Sequence, residues 1–233
     1  MKINLIYEHN GADTILYCEN LPGAFARGES LETALAKIPA EAAAYVAWRG
    51  MPVPESVEAA ITQDVPSELN IADADSDVLF SAEAQPLSRD EYEELKSLAL
   101  RSAADFQRLY DSVPDKDMSV LPVRSSFYGA VPRTAREMYE HTKSVNSYYF
   151  AEIDVESDNS GSIYDCRLRG FEALERMPDF LSRGAAEGSY GEWWSLRKVL
   201  RRFIWHDRIH ARAMCRMAKK TFGKYENPFR FEV

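Results

Sequence analysis

Apolar and polar positions alternate at the start of the chain, a pattern typical of a β-strand with one buried face. Ile3, Leu5 and Tyr7 follow this period of two. Asn10-Gly11 then predicts a two-residue hairpin turn, because both positions of such a turn need a positive φ. Three strands are therefore expected near residues 2–7, 14–19 and 25–27.

The period becomes helical after Ser30, a residue type that often caps helix N-termini. Apolar side chains recur at helical spacing up to Gly50, which lies where a helix C-cap belongs. These side chains are Leu31, Ala34, Leu35, Ile38, Ala42, Tyr45 and Val46. Pro39 lies inside the pattern and should kink the helix. One further strand is expected, at either 59–62 or 69–71.

Residues 87–233 carry only helical patterns. Four capping boxes, in which a Ser or Thr is followed three residues later by an acid, predict four helix N-termini. The pairs are Ser88 with Glu91, Thr134 with Glu137, Ser162 with Asp165, and Ser189 with Glu192. Each pair precedes an amphipathic run, and Gly184 and Gly223 lie where the third and fourth helices should end. Four such helices predict an all-α four-helix bundle.

The change of period predicts an α+β chain of two domains. Residues 1–75 should form a small unit with an antiparallel sheet and one helix, 76–86 a linker, and 87–233 the bundle. A chain of 233 residues with 45% hydrophobic residues can bury two such cores. None of its apolar runs is long enough to span a bilayer as a helix.

Charge is distributed unevenly between the two halves. The net charge is −9, and residues 1–85 hold 14 Asp/Glu against 4 Lys/Arg. An acidic front half disfavours nucleic-acid binding, since phosphate contacts need cations, but it suits a basic protein partner. Cys18, Cys166 and Cys215 are scattered and follow no metal or disulfide spacing. This and the lack of a signal-peptide pattern predict buried thiols in the cytoplasm.

Three of the four histidines lie on predicted core faces of the bundle. His206 and His210 belong to an apolar stripe with alternating steps of three and four. The stripe comprises Leu196, Val199, Phe203, His206, His210, Ala213 and Met217. A separation of four places both imidazoles on one helix face, a turn apart. His141 shares a face of the second predicted helix with Met138 and Val145.

Burying three neutral imidazoles without partners would cost roughly 1–3 kcal/mol for each unsatisfied group. A shared divalent metal would satisfy them together, and imidazoles one turn apart suit two ligands of one ion. The alternative is that each ring is hydrogen-bonded separately. The sequence therefore predicts His141, His206 and His210 as metal ligands, whereas His9, beside the hairpin turn, should be exposed.

The fourth predicted helix also carries a row of cations roughly opposite the histidine stripe. They are Arg197, Arg201, Arg208, Arg212 and Lys219. Such a row is typical of a solvated helix face. The alternative is a surface that binds a carboxylate-bearing thiol or an acidic partner. Trp193, Trp194 and Trp205 can pack in the core or line a pocket. Cys215 lies off the stripe and is not counted as a ligand.

Two segments of the helical half resemble DinB-like proteins. They are Trp205-His-Asp-Arg-Ile-His-Ala-Arg-Ala-Met-Cys-Arg216 and Met138-Tyr-Glu-His-Thr142. The resemblance covers about residues 87–223. It implies a four-helix bundle whose three histidines hold a metal, often nickel or zinc. Several family members are metal-dependent thiol transferases or mycothiol-dependent isomerases, so a low-molecular-weight thiol is the implied co-substrate.

The front half resembles the HicB-like antitoxin domain over about residues 1–71. The matching segments are Glu19-Asn-Leu-Pro-Gly-Ala-Phe-Ala-Arg-Gly-Glu-Ser-Leu-Glu-Thr-Ala-Leu35 and Pro52-Val-Pro-Glu-Ser56. The resemblance implies a small sheet with one helix. HicB antitoxins neutralise an RNA-cleaving toxin and often carry a DNA-binding tail, whereas this chain has the predicted metal bundle in that place.

Two functions are compatible with these features. Three neutral ligands leave a divalent ion with its full charge and with one open coordination position. An ion of this kind would stabilise a bound thiolate, or it would lower the pKa of a bound water toward about 7. The first hypothesis is therefore a metal-dependent thiol transferase, with hydrolysis as the other chemistry. The second is a non-catalytic module, in which the HicB-like domain binds a protein partner and the bundle is structural or forms a homodimer.

Overall fold

The computed structural model describes residues 1–232, so Val233, the last residue of the predicted bundle, lies outside the described part. The chain begins with a four-stranded sheet. Its strands are β1 (Lys2–Asn10), β2 (Asp13–Cys18), β3 (Phe25–Gly28) and β4 (Glu58–Pro66). The order is β3-β2-β1-β4, and β1 pairs antiparallel with β2 but parallel with β4. Of the two expected positions for the last strand, the first is correct.

The expectation of an antiparallel sheet is wrong, because β4 runs parallel to β1. A parallel neighbour needs a long crossover, usually through a helix. Here helices α1 (Leu31–Leu35) and α2 (Ile38–Trp48) carry the chain from β3 at one edge to β4 at the other. Pro39 does not kink one helix but lies in the first turn of α2, where its missing N–H has no intrahelical acceptor to lose.

The second half contains four long helices that pack on one another. They are α3 (Arg89–Ser112), α4 (Ala135–Ala151), α5 (Ile163–Glu175) and α6 (Leu196–Phe222). Two short antiparallel strand pairs lie in the connections between these helices. Between α3 and α4, β5 (Ser125–Ser126) pairs with β6 (Gly129–Ala130), and between α5 and α6, β7 (Ala186–Glu187) pairs with β8 (Trp193–Trp194). Within residues 1–232, no helix combines the length and the apolarity needed to cross a bilayer.

Three of the four predicted helix starts are confirmed. The capping boxes at Ser88, Thr134 and Ser162 all form. In each, the carboxylate three residues later accepts a hydrogen bond from the backbone N–H of the capping residue. The fourth prediction is wrong: Ser189 opens a 3-10 turn, and the chain then stays extended through β8. Helix α6 begins only after Ser195, whose hydroxyl accepts a hydrogen bond from the Lys198 N–H at 3.1 Å.

The third helix is shorter than predicted. It ends at Glu175 rather than near Gly184. Met177 precedes Pro178, and the residue before a proline is disfavoured in the α conformation because its backbone clashes with the proline ring. Gly223 does end α6 as expected, with a φ of 73°.

The middle of the cationic row of α6 does not face solvent, so the expected solvated face is wrong there, whereas Lys219 at the end of the row is exposed. Arg201 and Arg208 are 4% and 0% exposed. Arg201 pairs with Glu83, and Arg208 pairs with Glu41 at 2.6 Å. Arg212 also contacts Glu41. The acids of the front half are thus the counter-charges of α6, since a buried cation needs a hydrogen-bonded acidic partner.

The expected linker at 76–86 is packed against α6. Its buried side chains are Ser76, Val78, Phe80 and Glu83. Arg202 donates a hydrogen bond to the Ser76 carbonyl at 2.7 Å. Trp205 of α6 reaches into the sheet, where its ring lies 5.9 Å from that of Tyr17. The division into domains at this point stays a prediction, but the segment is anchored by side chains.

Limited proteolysis with chymotrypsin should therefore spare Phe80 in the first cuts. Cleavage requires local unfolding where a site is buried, and Phe80 is only 3% exposed. Tyr190 and the Phe127-Tyr128 pair are 97%, 52% and 47% exposed, so the first fragments should end there. Mass spectrometry of early fragments is the measurement. A first cut at Phe80 would show that 76–86 is a flexible linker after all.

Candidate metal centre

The three predicted ligands come together between α4 and α6. His206 and His210 lie one turn apart on α6, and their ring centroids are 4.5 Å apart. His141 of α4 completes the group, with its ring 4.6 Å from His210 and 5.2 Å from His206. One nitrogen of each ring lies within 4.8 Å of the other two. The three histidines are therefore close enough to bind one metal ion.

The group is buried on one side and open on the other. His206 and His210 are each 8% exposed, whereas His141 is half-buried. Tyr149 forms part of the inner wall, with its ring 6.2 Å from that of His206. Tyr128, from the turn between β5 and β6, is 47% exposed and stacks on His141 at 6.2 Å. The group therefore reaches the protein surface on the side of His141 and Tyr128.

The hydrogen bonding of the rings fits a metal better than three separate core histidines. Within residues 1–232, none of the three imidazoles is hydrogen-bonded to a protein group, and the buried Nδ1 of His206 has no partner. A buried nitrogen without a partner is destabilising. Nitrogens sharing one tetrahedral ion lie about 3.3 Å apart, so the observed spacing of up to 4.8 Å needs only small side-chain rotations.

All three imidazoles are held in the neutral form that a metal requires. Burial lowers the pKa of His210 to about 3, with smaller contributions from the neighbouring His141 and Arg27. Burial also lowers the pKa of His206 well below its ordinary value, with the neighbouring histidines adding to the effect. The pKa of His141 is lowered by burial alone. At neutral pH, one nitrogen of each ring therefore has an unprotonated lone pair that can bind a metal.

The metal-free protein should lose stability as the pH falls from 7 to 5. The pKa of His210 is about 3 in the folded protein and 6.5 in the unfolded chain. Below pH 6.5 the unfolded chain therefore binds a proton that the folded protein does not, and this stabilises the unfolded state relative to the folded one. The loss from this group should reach about 2 kcal/mol at pH 5. Urea unfolding of metal-free wild type and His210→Gln at both pH values measures it. An equal pH dependence in the two proteins would contradict the assignment.

The carboxylates next to the ligands in sequence face elsewhere. Asp207 is fully buried and forms a two-pronged pair with Arg167, at 2.5 and 3.0 Å. Glu140 pairs with Lys143 at 2.9 Å on the surface of α4. Within residues 1–232, the histidine group includes no carboxylate. No general base is therefore assigned at the site.

The other residues considered from the sequence have structural positions. All three cysteines are free and buried, as predicted, and burial raises the pKa of Cys215 to about 12. Cys215 lies outside the histidine group. Trp194 and Trp205 are buried in the core, whereas Trp193 is 51% exposed. His9 is half-buried, not exposed, and contacts Asp64 at 3.0 Å.

Sequence reasoning missed two residues beside the site, Tyr128 and Arg27. Tyr128 follows a long stretch without regular structure, and no periodicity could place it over His141. Arg27 belongs to β3 in the other half of the chain, yet its charge acts on His210. Both reach the site only through tertiary packing.

Comparisons of the chain with protein-family models, with curated proteins and with solved structures find no significant match. The resemblances to DinB-like and HicB-like proteins therefore stay expectations that depend on short motifs.

Proposed function

We propose that this protein binds one divalent metal ion, zinc or nickel, through His141, His206 and His210. We further propose that it is a DinB-like, metal-dependent thiol transferase acting on small electrophiles. The observation that carries the first proposal is the convergence of three unpartnered, neutral imidazoles from two helices. Such donors are typical ligands of zinc and nickel.

The donor set and its surroundings support thiol transfer over hydrolysis. A divalent ion on three neutral imidazoles keeps its full charge and stabilises a thiolate. Hydrolysis generally uses a side chain that accepts a proton from water, and Asp207 is occupied by Arg167 while Glu140 pairs with Lys143. A free thiol has a pKa of about 8.5, far below that of water, so a bound metal ion would lower it enough for the proton to pass to solvent without a side-chain base. His141 is only half-buried, so the site reaches the protein surface.

The ligand assignment is tested by elemental analysis of protein purified without an affinity tag. Wild type should contain about one equivalent of metal, and His206→Ala should contain almost none, because two imidazoles bind a divalent ion far more weakly than three. His9→Ala is the matched control, since it removes the one histidine outside the group. Equal metal contents in wild type and His206→Ala would refute the site.

Thiol transfer is tested with the cobalt-substituted protein. A sulfur-to-cobalt charge-transfer band appears only when sulfur is a ligand, so a small thiol should generate the band. The band should strengthen as the pH rises toward the thiol pKa of about 8.5, and His210→Ala should lack it. A saturating thiol that leaves the cobalt spectrum unchanged would refute thiol transfer. Metal binding without sulfur ligation would leave two hypotheses, metal-assisted hydrolysis and the non-catalytic module whose HicB-like part recognises a protein partner, because neither requires sulfur at the metal.

A further inference from the structure

A cavity of about 340 Å³ lies between the end of α4, the end of α5 and the start of α6. Its mouth is formed by Arg183, Gly184 and Ala186, which are exposed. Its inner wall is formed by buried apolar side chains, namely Leu174, Phe180, Trp194 and Leu196. The three histidines are not among the residues that line it. We call this space the Trp194 cavity, and it is separate from the candidate metal centre.

The charged groups around the Trp194 cavity already contact the protein. Arg183 donates a hydrogen bond to the Ile153 carbonyl at 2.7 Å and pairs with Asp154. Oε2 of Glu152 accepts a hydrogen bond from the Ser189 N–H at 2.8 Å. Because two carboxylates and one guanidinium line the cavity, its surroundings carry a net negative charge. This charge disfavours an anionic ligand.

One polar group in the wall has no hydrogen-bond partner. Trp194 is 1% exposed, and the buried Nε1 of its indole has no acceptor. An indole N–H can only donate a hydrogen bond. Buried donors in native proteins are nearly always hydrogen-bonded. The N–H of Trp194 therefore indicates a position where the acceptor belongs to a bound molecule.

This donor lies beside a carboxylate, so one ligand can contact both groups. A Cβ on Gly188 would overlap both Oε2 of Glu152 and Cδ1 of Trp194, which places these two atoms next to each other. Cδ1 is bonded to Nε1 in the indole ring, and both side chains line the cavity. The donor of Trp194 and the acceptor of Glu152 are therefore found at the same part of the wall.

We infer that the Trp194 cavity binds a small neutral phenol, whose ring contacts the apolar wall and whose hydroxyl bonds to Trp194 and Glu152. A hydroxyl accepts one hydrogen bond and donates another, so it satisfies the indole N–H and the carboxylate together. An ammonium group would suit Glu152 but has no acceptor for the indole N–H. A dry apolar cavity of about 150 Å³ already binds benzene, and this cavity is larger.

NMR titration of the isotope-labelled full chain with p-cresol tests the site, because each tryptophan has one indole N–H resonance. The chain has four tryptophans, and the resonance of Trp194 is the one lost in Trp194→Phe. p-Cresol should move this resonance downfield and saturably, since the N–H gains an acceptor. Toluene lacks the hydroxyl, and the methyl ether of p-cresol cannot donate. Both should bind about tenfold more weakly, as expected for one lost hydrogen bond to a charged group.

Two variants separate the indole N–H from the rest of the wall. Trp194→Phe keeps an aromatic ring but removes the donor, so its affinity for p-cresol should fall about tenfold. Trp193→Phe is the matched control, because Trp193 is 51% exposed and does not line the cavity. It should bind p-cresol as wild type does. Saturation-transfer NMR of the ligand measures the affinity of all three proteins.

The outcomes are independent of the metal centre, since protein with and without zinc should bind p-cresol equally. A saturable shift of the Trp194 resonance with a preference for p-cresol would support the inference. No saturable shift, equal affinities for p-cresol and toluene, or unchanged binding by Trp194→Phe would each overturn it. If Trp194→Phe does not fold, the relative affinities of wild type for the three ligands decide.

Discussion

A chelator is expected to lower the unfolding temperature of the wild-type protein and to leave that of His206→Ala unchanged. A metal ion bound as proposed would link α4 to α6 through His141 and the α6 pair, and it would bind only where the folded chain brings these rings together. A ligand that binds only the folded state stabilises it by mass action, by about 2.7 kcal/mol at a hundredfold excess over its Kd. Differential scanning calorimetry with and without chelator is the measurement.

The control for this result is His9→Ala, which should respond to chelator as the wild type does. Its ring lies on the sheet beside Asp64, outside the histidine group. Equal responses of wild type and His206→Ala would mean that the metal binds elsewhere. No response in any of the three proteins would mean that no metal is bound.

Substitution of Asp207 by alanine is expected to destabilise the fold strongly. It leaves Arg167, which is 0% exposed, without its counter-charge. Breaking a buried pair from one side costs roughly 3–5 kcal/mol, because the remaining charge stays desolvated. Chemical denaturation of the metal-free protein measures the free energy of unfolding without a contribution from metal.

Two further variants show whether the unpaired charge of Arg167 causes the loss of stability in Asp207→Ala. Asp117→Ala breaks an exposed pair with Arg136 and should leave the unfolding midpoint unchanged, since exposed pairs contribute little. The double variant Arg167→Met/Asp207→Leu removes both charges and should recover most of the lost stability. If the double variant is as unstable as Asp207→Ala, the cause is lost packing and not the unpaired arginine.

Local patterns predicted structure well where neighbours in sequence supply the interaction. The capping boxes at Ser88, Thr134 and Ser162 need only residues three positions away, and all three form. The same pattern at Ser189 fails because β8 pairs with β7, a partner outside the window of the motif. A pattern of four residues cannot anticipate a competing ladder.

The histidine group was predictable for a related reason. The stripe of α6 places His206 and His210 on one buried face, and this follows from helix geometry alone. His141 was expected to face inward from its own helix. Its distance to the pair depends on how α4 packs against α6, and the structure brings the three rings together.

The helical and extended periods, most helix ends and the inward faces that carry the three histidines follow from local patterns, since each depends on backbone geometry over a few residues. The partners of the charged side chains of α6 depend instead on how distant elements pack. Arg208 pairs with Glu41, 167 residues earlier in the chain. The spacing of arginines along a helix does not indicate whether they face water or a carboxylate of another element. Phe25 of β3 lies against Trp205 for the same reason: the sheet packs on α6, with these ring centroids 6.1 Å apart, and no local pattern encodes that contact.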